Sequence, residues 1–211
     1  MPSKMGDRTY RHDVYYQNAK KNNFASRAIY KLDEIDKRFQ LFKKGDRVLD
    51  LGAAPGSWMQ YALSAVGPAG RVVGIDLLPL KIQLPGHGRF IQGDIREVSD
   101  EALLGPDARP FDVVVSDMAP NTIGVKFTDA ARSAALVVWA LEMTDRVLAP
   151  GGKFVAKIFQ GADFDDALKI LKARFVRFKV VKPESSRQAS KEVYLVAWER
   201  RPAVLGQDQP Q

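Results

Sequence analysis

The sequence contains no cysteine among its 211 residues, and it has only two histidines, His12 and His87. The absence of cysteine excludes disulfides, thiolate catalysis, iron–sulfur clusters and cysteine-ligated zinc. Two histidines are too few for a histidine-rich site, so we expect no metal. No apolar run approaches the roughly 20 residues that cross a bilayer. The polar N-terminus carries Asp7 and Asp13, unlike a secretory signal, so we expect a cytoplasmic protein without membrane contact.

Length and composition fit a single globular α/β domain. The chain is long enough for one sizeable core but short for two, and 45% of its residues are hydrophobic and 27% charged. Residues 1–23 are polar and show no hydrophobic period, which predicts a basic mobile arm. We therefore expect one domain over residues 24–199 and a flexible tail over residues 200–211.

The net charge of +7 is concentrated at the two ends of the domain. Residues 1–47 carry 12 Lys and Arg against 6 Asp and Glu, and residues 153–201 repeat the same balance. Residues 48–152 carry 8 against 12. If the ends fold together, they form a positive surface suited to nucleic acid, although solvated helix faces would give the same pattern. The candidate phosphate contacts are Lys20, Lys21, Arg27, Lys37, Lys182 and Arg187.

Short apolar runs alternate with stretches of helical periodicity, which predicts a doubly wound, mostly parallel sheet. The first five predicted strands are Arg47–Leu51, Arg71–Asp76, Arg89–Gly93, Phe111–Asp117 and Lys153–Phe159. The predicted helices are Phe24–Phe39, Ser57–Val66, Thr128–Leu148 and Phe164–Ala173. Phe175–Val181 and Val193–Trp198 lack a helix between them, so we expect an antiparallel hairpin. Ligands of such sheets bind beyond the carboxyl ends of the strands.

The loop after the first predicted strand favours an adenosine-containing cofactor. Its sequence runs from Gly52 to Gly56 as GAAPG, and Asp76 at the end of the next strand could accept both ribose hydroxyls. A dinucleotide site would need G-x-G-x-x-G, whereas Ala54 stands where the second glycine would be. The nearby Asp50 carboxylate suits a cationic amino acid better than a pyrophosphate. The loop therefore favours S-adenosylmethionine over NAD, with a Rossmann oxidoreductase as the alternative.

Two further residues are candidate cofactor contacts. Asp94 ends the third predicted strand and could accept a hydrogen bond from the adenine amino group. Trp58 could pack against the ligand, but a tryptophan at the start of a helix could equally belong to the core.

A lysine inside the fifth predicted strand indicates catalysis. Lys157 stands in the apolar run VAKIF, where an unused charge would be costly unless the strand is an edge. Asp117 ends the fourth strand in DMAPN, which lacks the aromatic residue that base-directed methyltransferases use to clamp a flipped base. Lys31 and Glu192 are not distinctive in isolation.

Seven segments together resemble one family over about residues 24 to 198. They are FASRAIYKLDEID, LDLGAAPGSW, IDLLP, QGDIRE, SDMAPN, LAPGGKFVAKIFQG and KPESSRQASKEVYLVA. The chain resembles the FtsJ/RrmJ family of ribosomal RNA large-subunit uridine-2′-O-methyltransferases. The resemblance departs at Ser57, where many members have glycine, and before Phe24, where the match is poor.

The resemblance implies a Rossmann-like, S-adenosylmethionine-dependent methyltransferase fold with seven strands. It places a catalytic tetrad on Lys31, Asp117, Lys157 and Glu192. Its cofactor contacts carry over to Gly56, Trp58, Asp76, Asp94 and Asp117.

The chemistry that follows is deprotonation of a ribose 2′-hydroxyl in line with the methyl donor. Neutral Lys157 would be the general base, Asp117 would orient its amine, and Glu192 would hold the ribose or Lys31. The implied substrate is a uridine in the A-loop of large-subunit ribosomal RNA, on the assembled large ribosomal subunit, and we expect a monomer. A non-catalytic RNA-binding assembly factor on the same fold is a further alternative, but it would not need Lys157.

Overall fold

The structure is a computed structural model, and it describes Gln17, Lys21, residues 24–186 and residues 190–202. Residues 24–186 and 190–202 form seven strands and five helices. The strands β1 to β7 are Arg47–Leu51, Arg71–Asp76, Gly88–Gln92, Phe111–Ser116, Leu148–Phe159, Phe175–Val181 and Glu192–Arg200. The helices α1 to α5 are Ile29–Phe39, Ser57–Val66, Asp100–Leu104, Lys126–Val147 and Phe164–Arg174.

All seven strands belong to one sheet, in the order β3-β2-β1-β4-β5-β7-β6. The strands β1 to β5 run parallel, and β7 runs antiparallel to both of its neighbours, β5 and β6. The predicted mostly parallel sheet with an antiparallel C-terminal hairpin is therefore confirmed. Because β7 inserts between β5 and β6, β5 is an interior strand and Lys157 is not an edge residue.

Helices cover both faces of the sheet. The side chains of α1 and α2, including Leu32 and Met59, pack on one face. Those of α3, α4 and α5, including Val137 and Leu171, pack on the other. All five residues of β1 are buried, as expected for a central strand covered on both sides. None of the helices in the described part of the chain is both long and apolar enough to cross a membrane.

Three local features differ from the sequence prediction. Helix α1 begins at Ile29 rather than Phe24, and the short helix α3, whose backbone is capped by the Ser99 hydroxyl, was not predicted. The turn predicted at residues 150–152 lies within β5. Phe111 pairs with Leu148 and Val113 pairs with Lys153, so β5 has more residues than β4 between the two pairings. The additional residues on β5 form an irregularity that a turn sequence accommodates.

Candidate active site

A cavity of about 350 Å³ opens at the carboxyl edge of the sheet, where β1, β2 and β4 end. Four of the predicted cofactor residues line it: Gly52, Asp76, Asp94 and Asp117. The rest of the lining is largely apolar and includes Trp139. A pocket with apolar walls and a few acceptors has the composition of a nucleoside site.

The loop between β1 and α2 approaches the opposite wall of the cavity closely. Gly52 has a φ of +77°, and a Cβ added there would lie 2.6 Å from the Met118 Cγ. The backbone N–H groups of Gly52 and Ala53 both donate to the Ile75 carbonyl, at 2.9 and 3.1 Å. Only glycine meets both the backbone and the space requirement at residue 52.

The Asp76 carboxylate joins two backbone segments of the cavity wall. Its oxygens accept hydrogen bonds from the Ala54 N–H at 2.9 Å and the Leu78 N–H at 2.8 Å. A carboxylate has about four acceptor sites, so Asp76 can accept two more hydrogen bonds, for example from a ribose diol.

The Asp94 carboxylate is paired with Arg96 at the other end of the cavity. The ion pair measures 2.5 Å, and the hydrogen bonds from Arg96 lower the pKa of Asp94 to about 2. The Arg96 guanidinium also lies 4.8 Å from the ring centroid of Trp139. Asp94 is thus a fixed, ionised acceptor in the pH range of a cell.

Asp50 lies on β1 beneath the glycine loop and is fully buried. Among the described residues, neither of its carboxylate oxygens has a hydrogen-bond partner. Burial, followed by the charges of Asp117 and Asp76, raises the pKa of Asp50 well above its usual value. A buried carboxyl with unused acceptors favours a nearby cation.

The other two predicted cofactor residues do not line this cavity. Gly56 precedes α2, and a Cβ there would lie 2.7 Å from Ile82. Trp58 is only 2% exposed. Its indole N–H donates to the Ala28 carbonyl at 2.9 Å, and its ring packs 5.8 Å from that of Tyr194. The structure thus places Trp58 in the core, where it joins α2 to the start of α1.

Buried Lys157 and half-buried Asp117 form an ion pair at the margin of the cavity. The Lys157 Nζ donates to the Asp117 carbonyl at 2.6 Å and lies 3.0 Å from the Asp117 Oδ1. The Tyr194 hydroxyl donates to the same Oδ1 at 2.9 Å. Burial, followed by the charge of Asp117, raises the pKa of Tyr194 well above its usual value, so Tyr194 stays a donor.

Lys31 and Glu192 form a second ion pair beside the first. Their Nζ and Oε1 atoms lie 2.5 Å apart, and the Ser186 hydroxyl donates to the same Oε1 at 2.9 Å. Burial raises the pKa of Glu192, but Lys31, Ser186 and the charge of Lys157 outweigh burial and lower it. The Lys31 Nζ lies 5.8 Å from the ring centroid of Tyr194, so one tyrosine touches both pairs. The structure therefore brings all four predicted tetrad residues together.

Sequence reasoning missed three residues that support this cluster: Tyr194, Ser186 and Glu34. The Glu34 carboxylate accepts hydrogen bonds from the backbone N–H groups of Glu184, at 2.7 Å, and Ser185, at 3.0 Å, and so fixes the segment that carries Ser186. A signal existed for Tyr194, because residues two apart on a strand share a face and Tyr194 follows Glu192 by two.

The predicted phosphate contacts are only partly within the described residues. Lys20, Arg187 and most of the predicted arm and tail lie outside them. Lys21 is exposed, and Arg27 is half-buried. Lys37 is exposed and pairs with Asp33 at 2.7 Å. Lys182 donates to the Ser190 carbonyl at 2.7 Å.

Comparison with known proteins identifies the family. The model of the FtsJ-like methyltransferases matches residues 24–200. A ribosomal RNA large subunit methyltransferase E of Syntrophobacter fumaroxidans is 49% identical over 189 residues, which are 90% of this chain and 96% of that protein. The enzyme of the same name from Desulfatibacillum aliphaticivorans is 47% identical over 201 residues, covering 95% and 97% of the two chains.

Solved structures agree in fold. A ribosomal RNA methyltransferase of Plasmodium falciparum superposes with a TM-score of 0.70 at 27% identity, over 84% of this chain and 98% of that one. Fibrillarin of Aeropyrum pernix, solved with bound S-adenosylmethionine, superposes with a TM-score of 0.52 at 19% identity, over 74% and 67% of the chains. The match to a methyltransferase family over the whole described domain excludes the oxidoreductase alternative, and the chain belongs to the FtsJ-like methyltransferases.

Proposed function

We propose that this protein transfers a methyl group from S-adenosylmethionine to the 2′-hydroxyl of a ribose in large-subunit ribosomal RNA. The observation that carries the proposal is the ion pair between buried Lys157 and Asp117, since Asp117 also lines the cofactor cavity. The relatives named as large-subunit ribosomal RNA methyltransferases support the substrate class. The resemblance of the motifs supports a uridine of the A-loop, methylated on the assembled subunit, as the target.

The residues of the cavity fit S-adenosylmethionine. Asp76 has acceptor sites left for the ribose diol, and Asp94 would accept from the adenine amino group beside the apolar wall. The Asp50 carboxyl lies behind the cavity wall, where it is fully buried and has no hydrogen-bond partner among the described residues; in its ionised form it would balance the cationic amino-acid end. Gly52, which has no side chain, lets the loop pack directly against Met118 in the cavity wall.

When bound, the cofactor supplies a methyl group on a positively charged sulfur, which is an activated electrophile. The protein must then place the ribose hydroxyl in line with that methyl and remove its proton. Lys157 would take this proton on its Nζ as the ribose oxygen forms its bond to the methyl carbon and the carbon–sulfur bond breaks.

The contacts of Lys157 suit a general base. A neutral amine has two N–H donors and one lone pair, and the Asp117 carbonyl and carboxylate oxygens accept from both donors. Asp117 therefore orients the amine so that its lone pair is left for the substrate. Tyr194 donates to the same Asp117 oxygen and fixes that carboxylate in turn.

Glu192 would act mainly by holding Lys31 in place. The lowered pKa of Glu192 keeps it ionised, and its charge balances Lys31, whose remaining N–H groups can point at the ribose hydroxyls. Each of the four tetrad residues thus has an assigned partner, and the lone pair of a neutral Lys157 is left for chemistry.

Nucleoside mass spectrometry of large-subunit ribosomal RNA tests this function. We expect cells without the protein to lack one 2′-O-methyluridine, and purified protein with S-adenosylmethionine to restore it on isolated large subunits. Naked ribosomal RNA in a parallel reaction tests whether the assembled subunit is required. A missing base methylation, or an unchanged set of ribose methylations, would contradict the proposal. Restoration by a Lys157→Ala variant expressed in the cells without the protein would favour a non-catalytic assembly factor.

The basic surface makes a separate prediction about salt. Each phosphate contact releases condensed counterions, so log affinity for RNA falls linearly with log salt. If Lys37 contacts phosphate, Lys37→Ala should flatten this slope by about 0.7 to 0.9. Double replacement of Lys20 and Lys21, and Arg187→Ala, should each flatten it as well. Filter binding across a salt series measures the slope.

Lys169 provides a matched control for Lys37. Both side chains are about three-quarters exposed, at 75% and 72%, and each is paired with an aspartate of its own helix at 2.7 Å. Lys169 lies on α5, on the opposite face of the sheet from α1. Lys169→Ala should keep the parent slope, and identical slopes for both variants would remove Lys37 from the RNA surface.

A further inference from the structure

Three large hydrophobic side chains are exposed together just before and at the start of α4. They are Ile123, Val125 and Phe127, with exposed fractions of 57%, 51% and 73%, and we call them the apolar ledge. They account for three of the seven large hydrophobic residues that are exposed in the described part of the chain, and Phe127 is the most exposed of the seven. A cluster of this kind on a water-facing surface indicates a binding surface.

The backbone of the apolar ledge is held in place. The Asp129 carboxylate, which is 8% exposed, accepts hydrogen bonds from the N–H groups of Ile123 at 3.0 Å and Gly124 at 3.1 Å. The Arg132 guanidinium donates to the Asn121 carbonyl at 3.3 Å. The hydrophobic side chains therefore project from a fixed loop, and their exposure does not come from an unanchored segment.

The apolar ledge stands beside the opening of the active site. The loop that carries it begins at Asp117, the residue that contacts Lys157. Further along α4, the Ser133 hydroxyl accepts from the Phe159 N–H at the end of β5, so Ser133 is level with the carboxyl edge of the sheet. Phe127 precedes Ser133 by six residues on the same helix, which places it about 9 Å beyond that edge. The apolar ledge therefore lies beyond the same edge of the sheet at which Asp117 meets Lys157.

The charges around the apolar ledge are positive. Lys126 and Arg132 are both exposed, whereas the one acidic residue between them, Asp129, is buried and bonded to the loop backbone. An exposed aromatic ring flanked by cations has the composition of a single-stranded RNA site, in which bases stack on aromatic side chains and phosphates meet Lys and Arg.

We propose that the apolar ledge is the stacking platform for an unpaired nucleobase next to the methylated ribose. Phe127 would stack on that base, and Lys126 and Arg132 would contact the adjoining phosphates. This inference rests on the proposed function, because it requires an RNA substrate at Lys157. It assigns substrate positioning to a segment that contributes nothing to the tetrad.

Steady-state kinetics on large ribosomal subunits from cells without the protein test the proposal. Base–aromatic stacking is worth about 1–3 kcal/mol per base, so Phe127→Ala should raise KM for the subunit about 5- to 150-fold. The value of kcat at saturating subunit and the affinity for S-adenosylmethionine should stay unchanged, because Phe127 touches no reacting group. Phe127→Trp should retain the parent KM, whereas Phe127→Leu should behave like alanine.

Val176→Ala is the matched control, since Val176 is 51% exposed on β6; it should leave KM unchanged. If the parent protein is active and Phe127→Ala leaves KM unchanged, the stacking role of the apolar ledge is refuted but the proposed function is not. If Phe127→Leu kept the parent KM, the apolar ledge would bind protein through an apolar contact, and base stacking would be excluded. If the parent protein sedimented as a dimer and Phe127→Ala as a monomer, the apolar ledge would bind a second copy of this chain. A parent protein that methylates no ribose would refute the proposed function itself.

Discussion

Replacing Lys157 by alanine is expected to lower kcat by about 10²- to 10⁴-fold, the range over which positioned general bases contribute. The affinity for S-adenosylmethionine should change no more than a few-fold, because Lys157 contacts Asp117 and the substrate hydroxyl and does not line the cofactor cavity. Single-turnover methyl transfer to large ribosomal subunits and calorimetry with the cofactor measure the two effects. A variant that keeps more than about a tenth of the parent rate would remove Lys157 as the base.

A second substitution separates proton transfer from simple charge. Arginine keeps the positive charge but is not deprotonated in proteins, so Lys157→Arg should be as inactive as alanine if Lys157 is a base. If the role of Lys157 were electrostatic, arginine would restore a large part of the rate.

The pH profile provides an independent test. If a general base removes the proton, the rate should rise with pH and then level off. Glu192, whose pKa is lowered, and Asp94, with a pKa of about 2, stay ionised above pH 6 and cannot cause this rise. The pKa of Asp50 is raised, so protonation of Asp50 could change the affinity for S-adenosylmethionine. Measuring kcat at saturating S-adenosylmethionine keeps that change out of the pH profile.

Lys153 is the control on the same strand. It lies four residues before Lys157, at the opposite end of the sheet, and its Nζ donates to the Gln40 and Leu41 carbonyls. Lys153 is half-buried, and this burial lowers its pKa. It lies on the same strand as Lys157 but does not contact the proposed site. Lys153→Ala should reduce the free energy of unfolding but leave the rate per folded molecule unchanged.

Asp76→Ala is expected to weaken S-adenosylmethionine binding by more than tenfold, or about 1.4 kcal/mol. The reason is the loss of a charged acceptor for two ribose hydroxyls. The same change frees the N–H groups of Ala54 and Leu78, so part of the loss will come from the cavity wall. Calorimetry gives the dissociation constant, and unchanged affinity would exclude Asp76 from the cofactor site.

Asp76→Asn divides these two contributions. The amide oxygen can still accept from one of the two backbone N–H groups, while the charge that favours the ribose hydroxyls is gone. Affinity that is intermediate between parent and alanine indicates that both contributions matter. If asparagine bound as tightly as aspartate, the role of Asp76 would be to hold the loop.

Much of the fold could be predicted because its signals are local. The apolar runs at Arg47–Leu51 and Arg71–Asp76 form strands with the predicted bounds, since hydrophobic periodicity acts over a few residues. Parallel strands end at one edge of the sheet, so Gly52, Asp76 and Asp117 could be predicted to lie close together at that edge. The exceptions were the short helix α3, which is stabilised by the Ser99 cap, and the predicted turn at residues 150–152, which lies within β5. At that turn the local sequence signal competes with the pairing of β5 with its neighbouring strand.

The assembly of the catalytic cluster depended on long-range pairing. Insertion of β7 between β5 and β6 sets Tyr194 opposite Lys157 and Glu192 opposite Phe159. Lys31 then meets Glu192 across most of the length of the chain. No local pattern specifies which strand a hairpin will join, because that choice depends on the edges that all other strands leave open.

Local sequence patterns were enough to predict the class of fold and the glycine loop with its following acidic residue. They also identified a lysine whose burial in a strand would be costly without a use. Tertiary contacts set the rest: Trp58 belongs to the core, Tyr194 and Ser186 support the two ion pairs, and Phe127 is exposed at the start of α4. Residue type and spacing limit what a side chain can do, but its burial and partners are set by chain segments far away in sequence. Those contacts exist only once the whole sheet has formed.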